Sequence, residues 1–523
     1  MNLLPQALDA VKEELREEAK ESKRVSKMTL PEKVEAGHAF GPFEVAFVEK
    51  KTMTLKYLAD ECVCGPERKK TYRIWETGKT TTISEVARQT ITIPKKEIPE
   101  RIHLIEEFHS YTKPVRTRLE WLNNRGLVWP EMSNKPAPLD PEWTSSAEVE
   151  KAILEGHHLI GIQGPPGSGK TRAMARAVKA LCDAGKKCIV TAKAHAAVDN
   201  ALGSCERSGI KGVNYGKERG GDRNKASLIG VTCDALMMNS ELEADYLFLD
   251  EAGQIPAFYL AALSCHAEHL IVLGDDCQLQ PITKRVPSRR NITTGSALGA
   301  LRKVPGAKLL AMDTSDRLCS AIAEKVSVLQ YGGNLKAGEN KECCLLTPRE
   351  RSPVCGIHTL NNMSRAVNNA DPDEARRCAD LALKMLEYRF RKSPNHEPQG
   401  LTAADIAIVT PYRHQNAEIR YALGPLGKDI LTGTAHALQG QSKLVTIIST
   451  ATPRGRALEN SDGWLCNWNL WNVAISRASA VTLILADIET LEGSQIRKAS
   501  ALESRIRLVG FLKETLTIEE WAF

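Results

Sequence analysis

Among the 523 residues no run of apolar side chains is long enough to cross a bilayer. The longest aliphatic stretches, such as "HLIVLG" (269–274) and "VTIIST" (445–450), are strand-sized, against the roughly 20 residues that a spanning helix needs. The opening "MNLLPQALDAVKEELREEAK" turns densely charged before an apolar core of signal-peptide length can form. No membrane association and a soluble, intracellular location are therefore expected. The fourteen cysteines contain no CxxC pair, and only Cys62 with Cys64 and Cys343 with Cys344 lie close together. That scatter speaks for free thiols in a reducing compartment, and against a disulfide framework or a cysteine-rich zinc module. "SCHAEH" sets Cys265, His266 and His269 near one another like half of a metal site, but no second half lies nearby in the chain. It reads as the polar end of a helix before a buried strand. No nuclease motif is recognisable. Charge is nearly balanced, 70 Lys and Arg against 64 Asp and Glu, so a net +6 only mildly favours a polyanionic partner.

What is present is a globular composition, 42% hydrophobic and 26% charged, in a chain long enough for two to four domains. Residues 1–35 have the spacing of a charged helix with Leu4, Leu8, Val11 and Leu15 on one stripe. Within 36–125, short β-branched runs such as "FEVAFVEKKTMTLKYL" and "KTTTISEVARQTITIP" predict a β-rich accessory module ending in a helical stalk. From 126 to 312, apolar runs ("HLIGIQG", "KKCIVTAKA", "SLIGVTC", "YLFLDEAG", "AKLLAMD") alternate with helical segments, the rhythm of a parallel sheet covered on both faces. A second series ("ADIAIVTPYR", "LVTIISTA", "AVTLILAD") predicts another α/β domain over 313–505, with residues 332–400 as part of it or an insertion, and 506–523 as a C-terminal tail.

Three motifs carry chemistry. "GPPGSGKT" fits G-x-x-x-x-G-K-[ST] between an apolar strand and a helix-forming run. Backbone N–H groups of Gly164, Pro166's neighbours and Gly169 would cradle phosphates, Lys170 would reach the β and γ phosphates, and Thr171 would ligate Mg²⁺. The cradle comprises Gly164, Pro165, Pro166, Gly167, Ser168, Gly169, Lys170 and Thr171. "YLFLDEAGQ" ends a strand in Asp250, suited to holding Mg²⁺, and Glu251, suited to activating the attacking water. "HLIVLGDDCQLQPI" supplies Gln278, a neutral amide able to bond a γ phosphate and lose that bond after cleavage.

In order along the chain, "GPPGSGKT", "AKAHAAVD", "VTCDAL", "DEAGQ", "GDDCQLQP", "VTPYRHQ", "TAHALQGQ" and "NVAISRA" resemble the successive motifs of superfamily 1 helicases, in the branch of the nonsense-mediated-decay helicase. The resemblance covers residues 155–490. It implies two tandem RecA-like P-loop NTPase domains with ATP and Mg²⁺ between them, and a monomeric motor running 5′ to 3′ on single-stranded RNA or DNA. It further implies catalytic roles for Lys170, Asp250, Glu251, Gln278 and the arginine finger Arg477. Arg317 in "DTSDRLCSAI" is the counterpart of a second arginine, although the tyrosine, methionine and proline of the family's stretch are absent. Gly440 would touch nucleotide. His195, Thr232, Thr410, Tyr412, Thr434 and His436 would touch the nucleic-acid backbone, where hydroxyl and imidazole groups suit phosphate contacts. His195 and His436 also have the alternative of burial against backbone.

The pattern has departures. "TSSAEVEKAILEG" lacks the upstream glutamine that reads adenine in relatives, which leaves base selectivity open. Gly440 is followed by Gln441 and Ser442 in place of Arg-Glu, and "NWNLWNVAISRA" replaces basic residues with tryptophans. Trp464, Trp468 and Trp471 either stack on bases or pack as a cluster. The loop "TKRVPSRRN" (283–291) either grips phosphates or is solvated. Two other functions fit parts of the pattern: an ATP-gated nucleic-acid clamp or ribonucleoprotein remodeller that separates no duplex, and a P-loop NTPase regulating protein assembly.

Overall fold

The computed structural model describes residues 3–35, 38–49, 51–57, 71–86, 90–106, 112–124, 140–216, 226–239, 241–281, 295–339, 342–347, 353–367, 369–393, 395–427, 429–438, 440–453, 465, 467–493 and 499–517. They fall into two units: Met1–Glu18 with Ser110–Glu342, and Ala19–His109 with Cys343–Phe523.

The first unit is built on an eight-stranded, all-parallel sheet. Its spatial order is Val213–Asn214, Leu228–Thr232, Cys188–Ala192, Ala244–Leu249, Ala267–Gly274, Leu159–Gln163, Lys308–Met312, Glu142–Thr144. The central strands are mainly apolar and buried over their C-terminal parts, as a sheet covered by helices requires. Helix Lys170–Asp183 places Ala173, Met174, Ala177, Val178 and Leu181 against one face. The other face receives the amphipathic stripe anticipated near the N-terminus: Leu8 and Val11 join Val115, Leu119 and Leu122 of helix Lys113–Asn124 in one core. That helix, read from sequence as a stalk of the β module, therefore belongs to the first unit.

In the second unit, residues 39–106 form a seven-stranded antiparallel sheet whose alternating side chains (Tyr72, Ile74; Ile91, Ile93) meet Phe40, Leu55 and Leu104 in a small core. Residues 343–517 form a five-stranded parallel sheet in the order Gly356–Asn361, Ala478–Ala486, Lys443–Ser449, Ile406–Val409, Leu431–Gly433. Helix Pro372–Met385 buries Ala375, Cys378, Ala379 and Ala382 in its core.

Two further boundaries move. The change of unit, expected at 312/313, falls between Glu342 and Cys343. Residues 314–342 are tied to the first unit by the bonds of Ser315 Oγ to Pro166 O (2.6 Å) and Tyr331 Oη to Asp275 (2.6 Å). The expected tail beyond 505 is the end of helix Ala499–Glu514, with Leu508, Phe511 and Leu512 buried and Thr359 N bonded to Thr515 O (2.7 Å). Every described cysteine is a free thiol, and no helix among the described residues is long and apolar enough to cross a membrane.

Candidate active site

Strand Leu159–Gln163 runs directly into the glycine loop, and Gly164 N bonds Gly274 O (2.8 Å) on the neighbouring strand. Helix Lys170–Asp183 begins after Gly169, which has no side chain to cap it, so no capping side chain takes up its first N–H groups. The loop is pinned from outside: Asp316 N donates to Gly167 O (2.9 Å), and a Cβ on Gly167 would lie 2.3 Å from Arg317 Cβ. Close backbone approach recurs one strand away. A Cβ on Gly253 would meet Asp275 O, and one on Gly274 would meet Gly253 N, each at 2.5 Å, so the "DEAG" and "GDD" turns nest against each other.

The acids follow strand Ala244–Leu249, and strand Ala267–Gly274 lies between it and the phosphate-loop strand. Lys170 Nζ stands 3.3 Å from Asp250 Oδ1 and 3.5 Å from Glu251 Oε1, and Thr171 Oγ1 lies 3.4 Å from Asp250 Oδ2. Burial alone would draw Lys170 down, but Glu251, Asp250 and Asp275 together hold it above the ordinary lysine range, so the ammonium stays charged. Glu251 adopts a left-handed backbone (φ 55°), an uncommon conformation for a non-glycine residue that concentrates at functional sites. Gln254 Nε2 donates to its carboxylate at 3.2 Å.

Asp275, which sequence reasoning passed over for its neighbour Gln278, is the buried hub. It accepts from Tyr331 Oη (2.6 Å), Gln278 Nε2 (2.6 Å) and Cys277 N (3.1 Å). Burial nevertheless pushes its carboxyl up to about 6, against the pull of those donors and of Lys170. Gln278, the candidate sensor, thus has its amide on Asp275. Arg317 lies beside the loop in the first unit. Burial lowers its pKa, with Glu251 acting the other way. The signal for this device was the serine of "DTSDR", whose hydroxyl bonds the loop.

Arg477 is buried and surrounded by acceptors of its own unit. Nε donates to Val473 O (2.9 Å), and Nη1 to Gln441 O (2.9 Å) and Leu438 O (3.5 Å). It clamps the loop that carries Gly440, itself exposed at φ 79°.

The candidate nucleic-acid contacts sit in pairs at neighbouring strand ends. Ala192, three residues before His195, pairs with Thr232, and Val409, next to Thr410, pairs with Gly433, next to Thr434. His195 and His436 are exposed. Thr232 is buried and spends its hydroxyl capping helix Cys233–Met237. Thr410 is buried, with its hydroxyl 3.5 Å from Tyr412 N. Thr434 and Tyr412 are half-buried, and Thr434 Oγ1 accepts from Ala437 N (3.4 Å). The first pair of loops is joined by residues not singled out from sequence: Lys193 Nζ lies 3.0 Å from both oxygens of Asp234, and Tyr259 Oη donates to the same carboxylate (3.0 Å). Trp471 is fully buried with Nε1 on Leu465 O (3.1 Å), and Trp468 packs edge-on against Phe511 under Arg507, so both are packed within the second unit. Trp464 and the basic loop 283–291 lie outside the described residues.

Two models of an AAA domain match the chain, one over residues 146–304 and one over 299–489, and so span both phosphate-loop and second-unit motifs. Among curated proteins the chain is 25% identical to the Arabidopsis thaliana DNA replication ATP-dependent helicase/nuclease JHS1 over 65% of its length. It is 24% identical to Saccharomyces cerevisiae DNA2 over 68%, and 25% to the human RNA helicase Mov10l1 over 63%. These matches support the likeness to superfamily 1 helicases. The chain spans only 28%, 26% and 32% of those three relatives' own lengths. Among solved structures, an arterivirus nonstructural protein 10 (helicase) in complex with DNA aligns at 14% identity and a TM-score of 0.43, over 86% of this chain and 80% of that one. Where the superfamily 1 pattern calls for an upstream glutamine, this chain has helix Ser146–Leu154, capped by Ser145.

Proposed function

We propose that the chain hydrolyses ATP at the loop of residues 164–171 and uses the cycle to move 5′ to 3′ along single-stranded nucleic acid. The observation that carries this reading is the convergence of Lys170, Thr171, Asp250 and Glu251 within 3.3–3.5 Å contacts beyond the C-terminal ends of central strands. A hydroxyl and a carboxylate at that spacing fit a Mg²⁺ ion held by Thr171 and Asp250, which when bound would neutralise phosphate charge. The chain's own residues do the rest. Lys170, now shared among carboxylates, turns to the β and γ phosphate oxygens. Glu251 accepts the proton of the attacking water. Gln278 leaves Asp275 for the γ phosphate or its water. Arg477 acts on the phosphate only after leaving the carbonyls of Val473 and Gln441, so its engagement and the freedom of the Gly440 loop are one event. Strand-end residues His195 and His436, both exposed, serve the nucleic acid, and Thr232 and Thr410 shape the loops that present it.

Relatives named for DNA replication and for RNA support nucleic acid in common and leave its kind open. The deciding experiment compares ATPase stimulation by single-stranded RNA and DNA of one sequence, then measures strand displacement on a tailed duplex. Turnover indifferent to both nucleic acids refutes the reading. Stimulation without displaced strand makes the chain an ATP-gated clamp.

A further inference from the structure

The second half that "SCHAEH" lacks in sequence is supplied by the fold. Strands Leu159–Gln163 and Ala267–Gly274 run parallel with Leu159 opposite Leu270, so the preceding residues, His158 and His269, stand side by side. Their ligand atoms and a carboxylate oxygen of Glu268 all lie within 4.8 Å of one another, with His158 Nδ1 and Glu268 Oε1 at 4.0 Å. Cys265 and His266 take no part: His266 is buried with Nδ1 on Leu242 O (2.7 Å).

The three side chains differ in freedom. His269 is fixed: Tyr246 stacks on its ring at 4.3 Å, and Nδ1 lies 3.2 Å from His157 O. A ring nitrogen that donates to a backbone carbonyl leaves the other one as the lone-pair donor, the usual arrangement behind a metal-bound histidine. His158 and Glu268 have side chains about three-quarters exposed, so solvent-side rotamers that turn toward Nε2 of His269 are open to them. His158 now stacks on that ring, 5.1 Å away and 8° from parallel.

We propose that His158, Glu268 and His269 bind a divalent transition-metal ion of the zinc class, with three protein ligands and one open position. Two imidazoles and one carboxylate suit Zn²⁺ and Co²⁺ and not the oxygen-only preference of Mg²⁺. The site lies at the start of the strand whose far end opens into the phosphate loop, on the order of 17 Å away at ~3.3 Å per residue. It is thus separate from Thr171 and Asp250, and independent of the function proposed above.

The test uses the full chain, stripped with chelator and titrated with Co²⁺. One ion per chain is expected, with a visible d–d spectrum that lacks a sulfur-to-cobalt band and is displaced by Zn²⁺. His269→Ala, His158→Ala and Glu268→Gln weaken binding by at least the ~10-fold typical of losing a supporting partner. Asp250→Asn leaves it unchanged. Glu268→Gln keeps the side-chain shape at an exposed position, and circular dichroism confirms the fold of each variant. No stoichiometric spectrum, a spectrum indifferent to all three substitutions, or one abolished by Asp250→Asn would overturn the site.

Discussion

Alanine at Gly167 and at Gly169 gives two perturbations that share one cost and differ in another. Both glycines are left-handed, at φ 76° and 78°, so an L side chain at either carries the same backbone penalty, about 1–2 kcal/mol. Their surroundings differ. A Cβ on Gly169 would meet the tip of Arg172, Nη2 at 3.2 Å, and that flexible end can swing aside at the small cost of its exposed ion pair with Asp316. A Cβ on Gly167 would meet Arg317 Cβ at 2.3 Å, Ser315 Oγ at 2.7 Å and Arg317 N at 3.0 Å. None of these is a free side-chain end, so the 315–317 segment must shift, and forced overpacking adds about 1–3 kcal/mol. The shift also strains the Ser315–Pro166 and Asp316–Gly167 bonds that hold the loop. Gly169→Ala should thus destabilise the first unit by about 1–2 kcal/mol, and Gly167→Ala by about 2–5 kcal/mol. Urea titrations read by hydrogen exchange in peptides covering 159–181 and 308–319 report that unit alone. Equal destabilisation by the two alanines would refute the pinning of the loop by residues 315–317.

Lys170→Ala is expected to abolish nucleotide binding and turnover, whereas Glu251→Gln should bind nucleotide and lose the ~10²–10⁴-fold that a general base supplies, seen by comparing analogue affinity with steady-state rate. Tyr331→Phe removes a 2.6 Å donor that favours the charged form of Asp275, so the carboxyl rises above its present value of about 6 and the acid limb of the ATPase pH profile moves to higher pH; an unmoved limb refutes a role for Asp275 in turnover. Glu374, in the core of the second unit, is pushed up to about 7 by burial although Ser449 Oγ (2.6 Å), Ala451 N (2.8 Å) and Asn362 Nδ2 (2.9 Å) all donate to it. Its folded form holds a proton that the unfolded form loses near 4.5, so stability present at acid pH declines as pH rises from about 4.5 through 7, by about 3 kcal/mol in all. In Glu374→Gln this decline should vanish from denaturation midpoints of the second unit, and a decline that persists would assign it elsewhere.

Sequence reading succeeds here where a function demands particular atoms close together in the chain. A phosphate cradle needs its glycines, lysine and hydroxyl consecutively, and "GPPGSGKT" shows them; the acids of "DEAG" need only a strand end, and the apolar run before them announces one. The same reading falters where adjacency is made by the sheet. Asp275 becomes the hub of the site because Tyr331 arrives from a helix that the chain pattern assigned to the next domain. His269 has only Glu268 beside it in its own segment and meets His158 because two parallel strands, separated in sequence by the whole acid motif, pair in a register that no local pattern encodes. Arg477 shows the converse limit. Its motif names a guanidinium for a phosphate, yet the fold surrounds that guanidinium with the carbonyls of Val473, Leu438 and Gln441. A buried arginine satisfied by carbonyls leaves them only if charge-assisted bonds to a phosphate replace those it gives up. On the function proposed above, its burial adds that the acting state is a second conformation, in which the Gly440 loop has lost its clamp.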